Sequence, residues 1–182
     1  NVESSNNRPH TYYLIDTEEK IKDLASKLEC AEKFAFDTET TSVEPINAKL
    51  VGMSFSLKED EAFYVPVPED DNETQKIVGR FKTALENEKS QKIGQNIKYD
   101  FIVMQNYGVE LKGDLFDTMV AHYLLQPDGH HNMDYLAEVY LGHKTISIDT
   151  LIGPKGKNQR SMREVPLADI CEYAAEDADI TL

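Results

Sequence analysis

At 182 residues, 40% of them hydrophobic and 29% charged, the chain has the size of one globular domain with a substantial core and leaves little room for a second. Its formal net charge of −14 argues against a broad basic face gripping a nucleic-acid backbone, though not against a few nucleotides held through bound cations. No apolar stretch approaches the length of a membrane span, and Cys30 and Cys171 lie far apart without CxxC spacing, so a disulfide framework and a thiolate metal site are not indicated and a reducing cytoplasm is the expected setting.

Residues 1–10, NVESSNNRPH, are polar and aperiodic and read as a linker tail. The first residue is not Met and Leu182 falls within a predicted helix, so residues 11–182 read as a domain excised from a longer polypeptide and cut in its last helix. Residues 11–15, TYYLI, predict a short strand, and Asp16 followed by Glu19 offers a capping-box-like helix start. Ile21, Leu24, Ala25 and Leu28 then share one helical face. Residues 34–36 predict a buried strand. From 49 to 57, Val51, Met53, Phe55 and Leu57 alternate with Gly52, Ser54 and Ser56, the pattern of a half-buried strand. A hairpin across the acidic turn at 58–61 leads to a strand over 62–67.

The acidic segment 69–73 introduces a helix with Ile77, Val78, Phe81, Ala84 and Leu85 on its core face. A short strand at 92–94 and a helix from about Lys98 to Gly108 follow, Gly108 being suited to a left-handed helix end. Helices over 116–125 and 133–140, the second closed by Gly142, precede a long loop, ISIDTLIGPKGKNQRSMREV, and a last helix opened by Pro166. Early strands followed by strand and helix units indicate an α/β domain with a mixed sheet.

The stretch FAFDTET places Asp37 and Glu39 two residues apart at the carboxyl end of a core strand, so both point to one face. Ligands collect at such strand ends. In YAAEDAD, Tyr173 and Asp177 are four apart on a helix and again share a face, and Asp100 follows GQNIKY near the start of another helix. Each signal alone has an ordinary structural reading as a solvated edge, a coincidence of spacing or a helix-dipole acid. If the acids converge, two carboxylates about 4 Å apart repel by roughly 4 kcal/mol at an effective dielectric near 20. Protons or cations must then neutralise them, and oxygen-only ligation selects hard ions such as Mg²⁺ or Mn²⁺. Two such ions about 3.5–4 Å apart stabilise the attacking and leaving oxygens of an in-line phosphoryl displacement.

FAFDTET, GQNIKYD and YAAEDAD, in this order, resemble the three exonuclease motifs of the proofreading domain of DNA polymerase I, in the DEDD 3′→5′ exonuclease superfamily of the tyrosine type. The resemblance runs from about Tyr12 to Leu182 and includes LVGMSF, YGVELKG, FDTM, MDYLAE, HKTI and GKNQ. It implies a ribonuclease H-like fold, with a central mixed sheet of about five strands flanked by helices. It also implies that Asp37, Glu39 and Asp177 hold the tighter of two divalent ions, that Asp37 is shared with the second ion, and that Asp100 supports the second directly or through water. Tyr173 would orient the attacking water; its phenol, with a reference pKa near 10, suits positioning better than neutral-pH base catalysis.

The implied substrate is the 3′ end of single-stranded or frayed DNA, and the implied products are nucleoside 5′-monophosphates. The implied partner is a polymerase domain of the same parent chain, and the domain is expected to be a monomer without membrane contact. Thr40, Gln95, Asn96 and Tyr99 are implied contacts to the terminal nucleotides. Val43 and Met162 stand where relatives place Leu and Phe wedges, and His130 stands where they place a phosphate-contacting Arg. By itself the His130–His131 pair reads as a polar loop before a helix. Lys155, Lys157, Arg160 and Arg163 form a local basic group before the last helix, either plainly solvated or in contact with DNA. A catalytically weak scaffold domain and a ribonuclease D-like RNA-trimming enzyme are the competing readings.

Overall fold

The computed structural model describes residues 3–4, 9–156 and 158–182. Most of the tail reading over residues 1–10, together with Lys157 of the basic group, lies outside the described residues.

The main sheet has the order β2-β5-β4-β3-β6-β7, where β2 is Thr11–Leu14, β3 Lys33–Thr40, β4 Leu50–Lys58, β5 Glu61–Pro66, β6 Gln91–Gly94 and β7 Leu115–Asp117. It is mixed: β3, β4 and β5 run antiparallel in sequence, while β2 joins β5, and β6 and β7 extend from β3, in parallel. The sheet has six strands rather than about five, because Phe116 and Asp117, expected to start a helix, instead join Leu115 in pairing with Lys92–Gly94 before α4 (Thr118–Leu125) begins. A separate two-residue parallel pairing joins β1 (Glu3–Ser4) to β8 (His143–Lys144).

One face of the sheet is covered by α1 (Glu18–Glu29), α2 (Asp71–Leu85) and α3 (Ile97–Asn106). Phe34, Phe36, Met53 and Phe55 meet Leu24, Leu28, Val78 and Phe81 in this core. Helix α1 is capped by Thr17, whose Oγ1 accepts from the Lys20 N–H at 3.3 Å, and not by Asp16, which pairs with Lys20 Nζ at 2.7 Å. The other face carries α7 (Leu167–Thr181). Pro166 stands one position before this helix, and its carbonyl accepts from Asp169 and Ile170.

Strand β4 is buried on both faces instead of one. Gly52, Ser54 and Ser56 look polar in the sequence, but their small size lets α7 come down on them, and the opposing Ala174, Ala175 and Ala178 are fully buried. A register shift between Glu39 and Thr40 leaves Val51 opposite no partner and turns it toward the α7 side, at the end of the strand where the acids lie.

The long loop holds α6 (Ile148–Ile152) and a 3₁₀ turn over Met162–Glu164 closed by a capping box between Ser161 and Glu164. The expected helix over 133–140 starts as α5 (Met133–Leu136) and widens into a π turn over Ala137–Leu141, ending at Gly142 with φ 63°.

Lys92 is the one fully buried lysine among the described residues, and its ammonium donates to the carbonyls of Asn87 (2.5 Å), Ser90 (2.9 Å) and Lys112 (2.7 Å). Burial pushes its pKa down to about 8, yet all three donors are matched. Lys92→Met should strand three carbonyls in a dry interior. The expected loss is about 2–4 kcal/mol, or a Tm lower by roughly 5–15 °C for a domain of this size. A calorimetric Tm within about 2 °C of the parent would contradict this account.

Candidate active site

Strand β3 directs Asp37 and Glu39 toward α7, while Thr38 between them faces the other way. Helix α7 presents Tyr173 and Asp177 one turn apart toward the same point. Asp37, Glu39 and Asp177 each offer an oxygen within 4.8 Å of the others. Asp37 and Asp177 are half-buried, and Glu39 is buried. Asp100, in the first turn of α3, is buried and held by the Thr38 hydroxyl, which donates to its Oδ1 at 2.5 Å. It stands outside the close trio but within electrostatic reach of Asp37 and Glu39.

Burial pushes the Asp37 carboxyl up to about 7, with the Thr38 backbone N–H drawing it partly back. Glu39 lies well above the usual carboxylate range, through burial first and then the charges of Asp37 and Asp100. Asp177 is raised by burial and by Asp37, Glu39 and Glu176. Asp100 is raised by burial and by Asp37. Burial and the neighbouring Asp177 keep the Tyr173 phenol protonated, hydrogen-bonded to that carboxyl. Tyr64 is likewise raised, by burial and by Glu39. At neutral pH the cluster must therefore hold protons or a cation. The donors are all oxygens, convergent and anionic, which is the donor set of a hard divalent ion.

Several residues that the sequence reading passed over set this geometry. Asp117 ends β7, and its carboxylate accepts from the N–H groups of Asn96 (3.0 Å), Ile97 (3.1 Å), Met119 (2.9 Å) and Val120 (3.3 Å). It thus caps α4 and anchors the start of α3, which carries Tyr99 and Asp100. The acids of YAAEDAD divide by helix face. Glu176 is buried, paired with His143 Nε2 at 2.9 Å and accepting the Ile146 N–H at 2.6 Å. Asp179 accepts from the Tyr12 hydroxyl at 2.9 Å and the Asp60 N–H at 2.8 Å. Both brace α7 against its surroundings, leaving Asp177 to face the pocket.

The expected nucleotide contacts are distributed unevenly. Thr40 Oγ1 and the Tyr99 hydroxyl lie 2.5 Å apart at the pocket rim, and the Tyr99 hydroxyl also donates to the Ser42 carbonyl. Val43 projects into solvent at 92% exposure, whereas Met162 is 4% exposed and packs with Tyr64 and Cys171, so it presents little surface as a wedge. Gln95 donates to the His131 carbonyl at 2.6 Å and accepts from the Thr118 hydroxyl, while Asn96 is exposed with φ 58°. His130 is exposed at the edge of the Tyr135 ring, and His131 Nδ1 meets His122 Nδ1 at 2.7 Å. The basic group is partly committed to the fold. Arg163 donates to the carbonyls of Val67 (2.9 Å) and Leu50 (2.5 Å), and Arg160 donates to that of Leu151 (2.7 Å). Lys155 alone of the described members is exposed without such a bond.

Residues 12–182 match the family described as 3′-5′ exonuclease. The DNA polymerase I of Pseudomonas aeruginosa is 43% identical over 166 residues, covering 86% of this chain and 18% of that protein. The DNA polymerase I of Borreliella burgdorferi is 35% identical over 173 residues, covering 93% of this chain and 18% of the relative. The chain thus spans less than a fifth of the length of these relatives. Among solved structures, Escherichia coli RNase D, described as an exoribonuclease involved in structured RNA processing, superposes with a TM-score of 0.71 at 19% identity over 93% of this chain and 42% of that one. Brucella melitensis NrnC with bound Mg²⁺ superposes with a TM-score of 0.68 at 18% identity over 96% of this chain and 77% of that one. At such identities the likeness speaks for the ribonuclease H-like fold alone.

Proposed function

Since the chain belongs to the 3′-5′ exonuclease family and corresponds to that portion of DNA polymerase I, we propose that it hydrolyses the 3′-terminal phosphodiester of single-stranded or frayed DNA with the help of two divalent ions, Mg²⁺ or Mn²⁺. The observation that carries this reading is the convergence of Asp37, Glu39 and Asp177 within 4.8 Å at the end of a rigid central strand. Bound divalent ions would supply charge stabilisation to the attacking and leaving oxygens.

In this reading Asp37, Glu39 and Asp177 hold the first ion. Asp37 would also serve the second ion, together with Asp100, whose carboxylate is held by the Thr38 hydroxyl. Tyr173, fixed as a neutral phenol beside Asp177, orients the attacking water. Thr40 and Tyr99 form the rim toward the terminal nucleotide, and Val43, Gln95, Asn96, His130 and the largely buried Met162 are assigned the remaining substrate contacts. The working assembly is a polymerase in which this domain proofreads for a polymerase portion of the same parent chain, acting as a monomer in the cytoplasm. Among the described residues no helix is long and apolar enough to cross a membrane.

The test is a side-by-side digestion of 3′-labelled single-stranded DNA and RNA of one sequence with Mg²⁺ or Mn²⁺. Chelator-sensitive release of nucleoside 5′-monophosphates, faster from DNA, is expected. Faster release from RNA would favour the RNA-trimming reading, and no release from either would leave a scaffold.

A further inference from the structure

Asp37 and Glu39 face α7, and their register partners on β4 are Ser54 and Gly52. Directly paired residues on antiparallel strands share a face, with Cβ atoms about 4.5–5.5 Å apart. Ser54 therefore lies beside Asp37 beneath the helix. It is 0% exposed, and its Oγ has no hydrogen-bond partner. A hydroxyl hidden from water without a partner costs about 1–3 kcal/mol, so its retention calls for a reason.

Tyr64 pairs with Ser54 from β5 and so lies on the same face. Its ring leans over the neighbouring Gly52: a Cβ at residue 52 would fall 2.3 Å from Tyr64 Oη and 2.4 Å from Cε2. Because Gly52 is directly opposite Glu39, the phenol fills the place beside Glu39 that a side chain at residue 52 would take. Its described acceptor, the Val51 carbonyl, is distant at 3.5 Å. This is well beyond the usual O–H···O range of about 2.5–3.0 Å. Two buried hydroxyls thus line the floor of the acidic pocket, and neither is well used by the protein itself.

The geometry points to Ser54 and Tyr64 as positioning residues for the cation site, Ser54 Oγ donating to the Asp37 carboxylate and Tyr64 Oη to that of Glu39. A carboxylate has about four lone-pair sites, so coordination through one leaves others free for a donor. Such outer donors fix the rotamer of a ligand, and losing one typically costs about 10–100-fold in metal affinity. Gly52 has a part as well, since only a residue without a side chain admits the phenol. Neither hydroxyl is assigned any contact with the reacting atoms. The inference rests on the divalent-cation reading of the acidic cluster.

Ser54→Ala and Tyr64→Phe remove the hydroxyls alone and test this directly. Mn²⁺ affinity is measured on the whole chain by the loss of the free-ion paramagnetic resonance signal, and metal-free melting is followed in chelator. Each variant is expected to bind Mn²⁺ about tenfold more weakly, while its metal-free Tm stays level or rises, because an unpartnered buried hydroxyl has been removed. Mn²⁺ affinity within about twofold of the parent in both variants would overturn the assignment, as would weakened binding accompanied by a matching fall in the metal-free Tm, the mark of a merely structural role. A parent chain that binds no Mn²⁺ removes the cation reading itself, a result distinct from a parent and variants that bind equally.

Discussion

Asp37→Ala is expected to lower the rate of 3′-terminal nucleotide release by at least about a thousandfold, or about 4 kcal/mol of transition-state stabilisation. Asp37 is the member of the cluster whose charge raises Glu39, Asp100 and Asp177 alike, so it stands at the electrostatic centre of the group. In the proposed arrangement it faces both ions, and its loss disables both positions. The same substitution should leave the metal-free fold intact or more stable, because it removes repulsion from three neighbouring carboxylates, two of them buried. Asp37→Asn separates charge from size. It retains the shape, carries no charge, and should be about as inactive. Steady-state release of nucleoside 5′-monophosphates, measured with metal-free melting on the same samples, checks both halves. A residual rate within about tenfold of the parent would refute the assigned role of Asp37.

The metal-free chain is expected to lose stability as pH rises from about 4 to 8, and divalent ions should restore it at the upper end. Asp37, Glu39, Asp100 and Asp177 all have folded pKa values raised above those of the unfolded chain, chiefly by burial. The folded state therefore binds protons more tightly. That contribution is fully present below the unfolded pKa and is lost as pH climbs through the folded one. For Asp37 the window runs from 3.8 to about 7. Its full loss corresponds to about 4 kcal/mol at 1.36 kcal/mol per pH unit, and half of that would lower Tm by roughly 5 °C. Exposed Asp16 and half-buried Glu86, lowered chiefly by hydrogen bonds to Lys20 and Lys82 respectively, act in the opposite sense and only at more acid pH, below that window. Melting in chelator at pH 5.5 and pH 8, with and without Mg²⁺ or Mn²⁺, provides the check. Ions should raise Tm by several degrees at pH 8 and by much less at pH 5.5, where protons already neutralise the cluster. A Tm indifferent to both pH and divalent ions would mean that the acids are not mutually destabilising.

What the sequence determined by itself was local and periodic. A run of apolar residues ending in Asp37 and Glu39 makes a buried strand whose last acids share a face, because side chains alternate with period two. Tyr173 and Asp177 share a face because a helix repeats every 3.6 residues. The core positions of α1 and α2, the helix ends at Gly108 and Gly142 and the mixed sheet follow from the same local rules. The capping box at Ser161 and Glu164 was also present in the sequence as S-x-x-E, inside a stretch read as loop.

Only the tertiary structure decided which partners these faces meet. The small face of β4 looks solvent-facing until α7 covers it, and that packing is what buries Ser54 and brings Tyr64 beside Glu39. Leu115–Asp117 becomes a strand because β6 offers it an edge, a pairing that no local propensity encodes. Met162 and Arg163 turn into the fold instead of outward, and Glu176 and Asp179 become braces, because their partners lie far away along the chain. Local periodicity fixes the direction of a side chain relative to its own element, whereas burial and hydrogen bonding depend on whatever that direction meets, and this is set by contacts between distant segments.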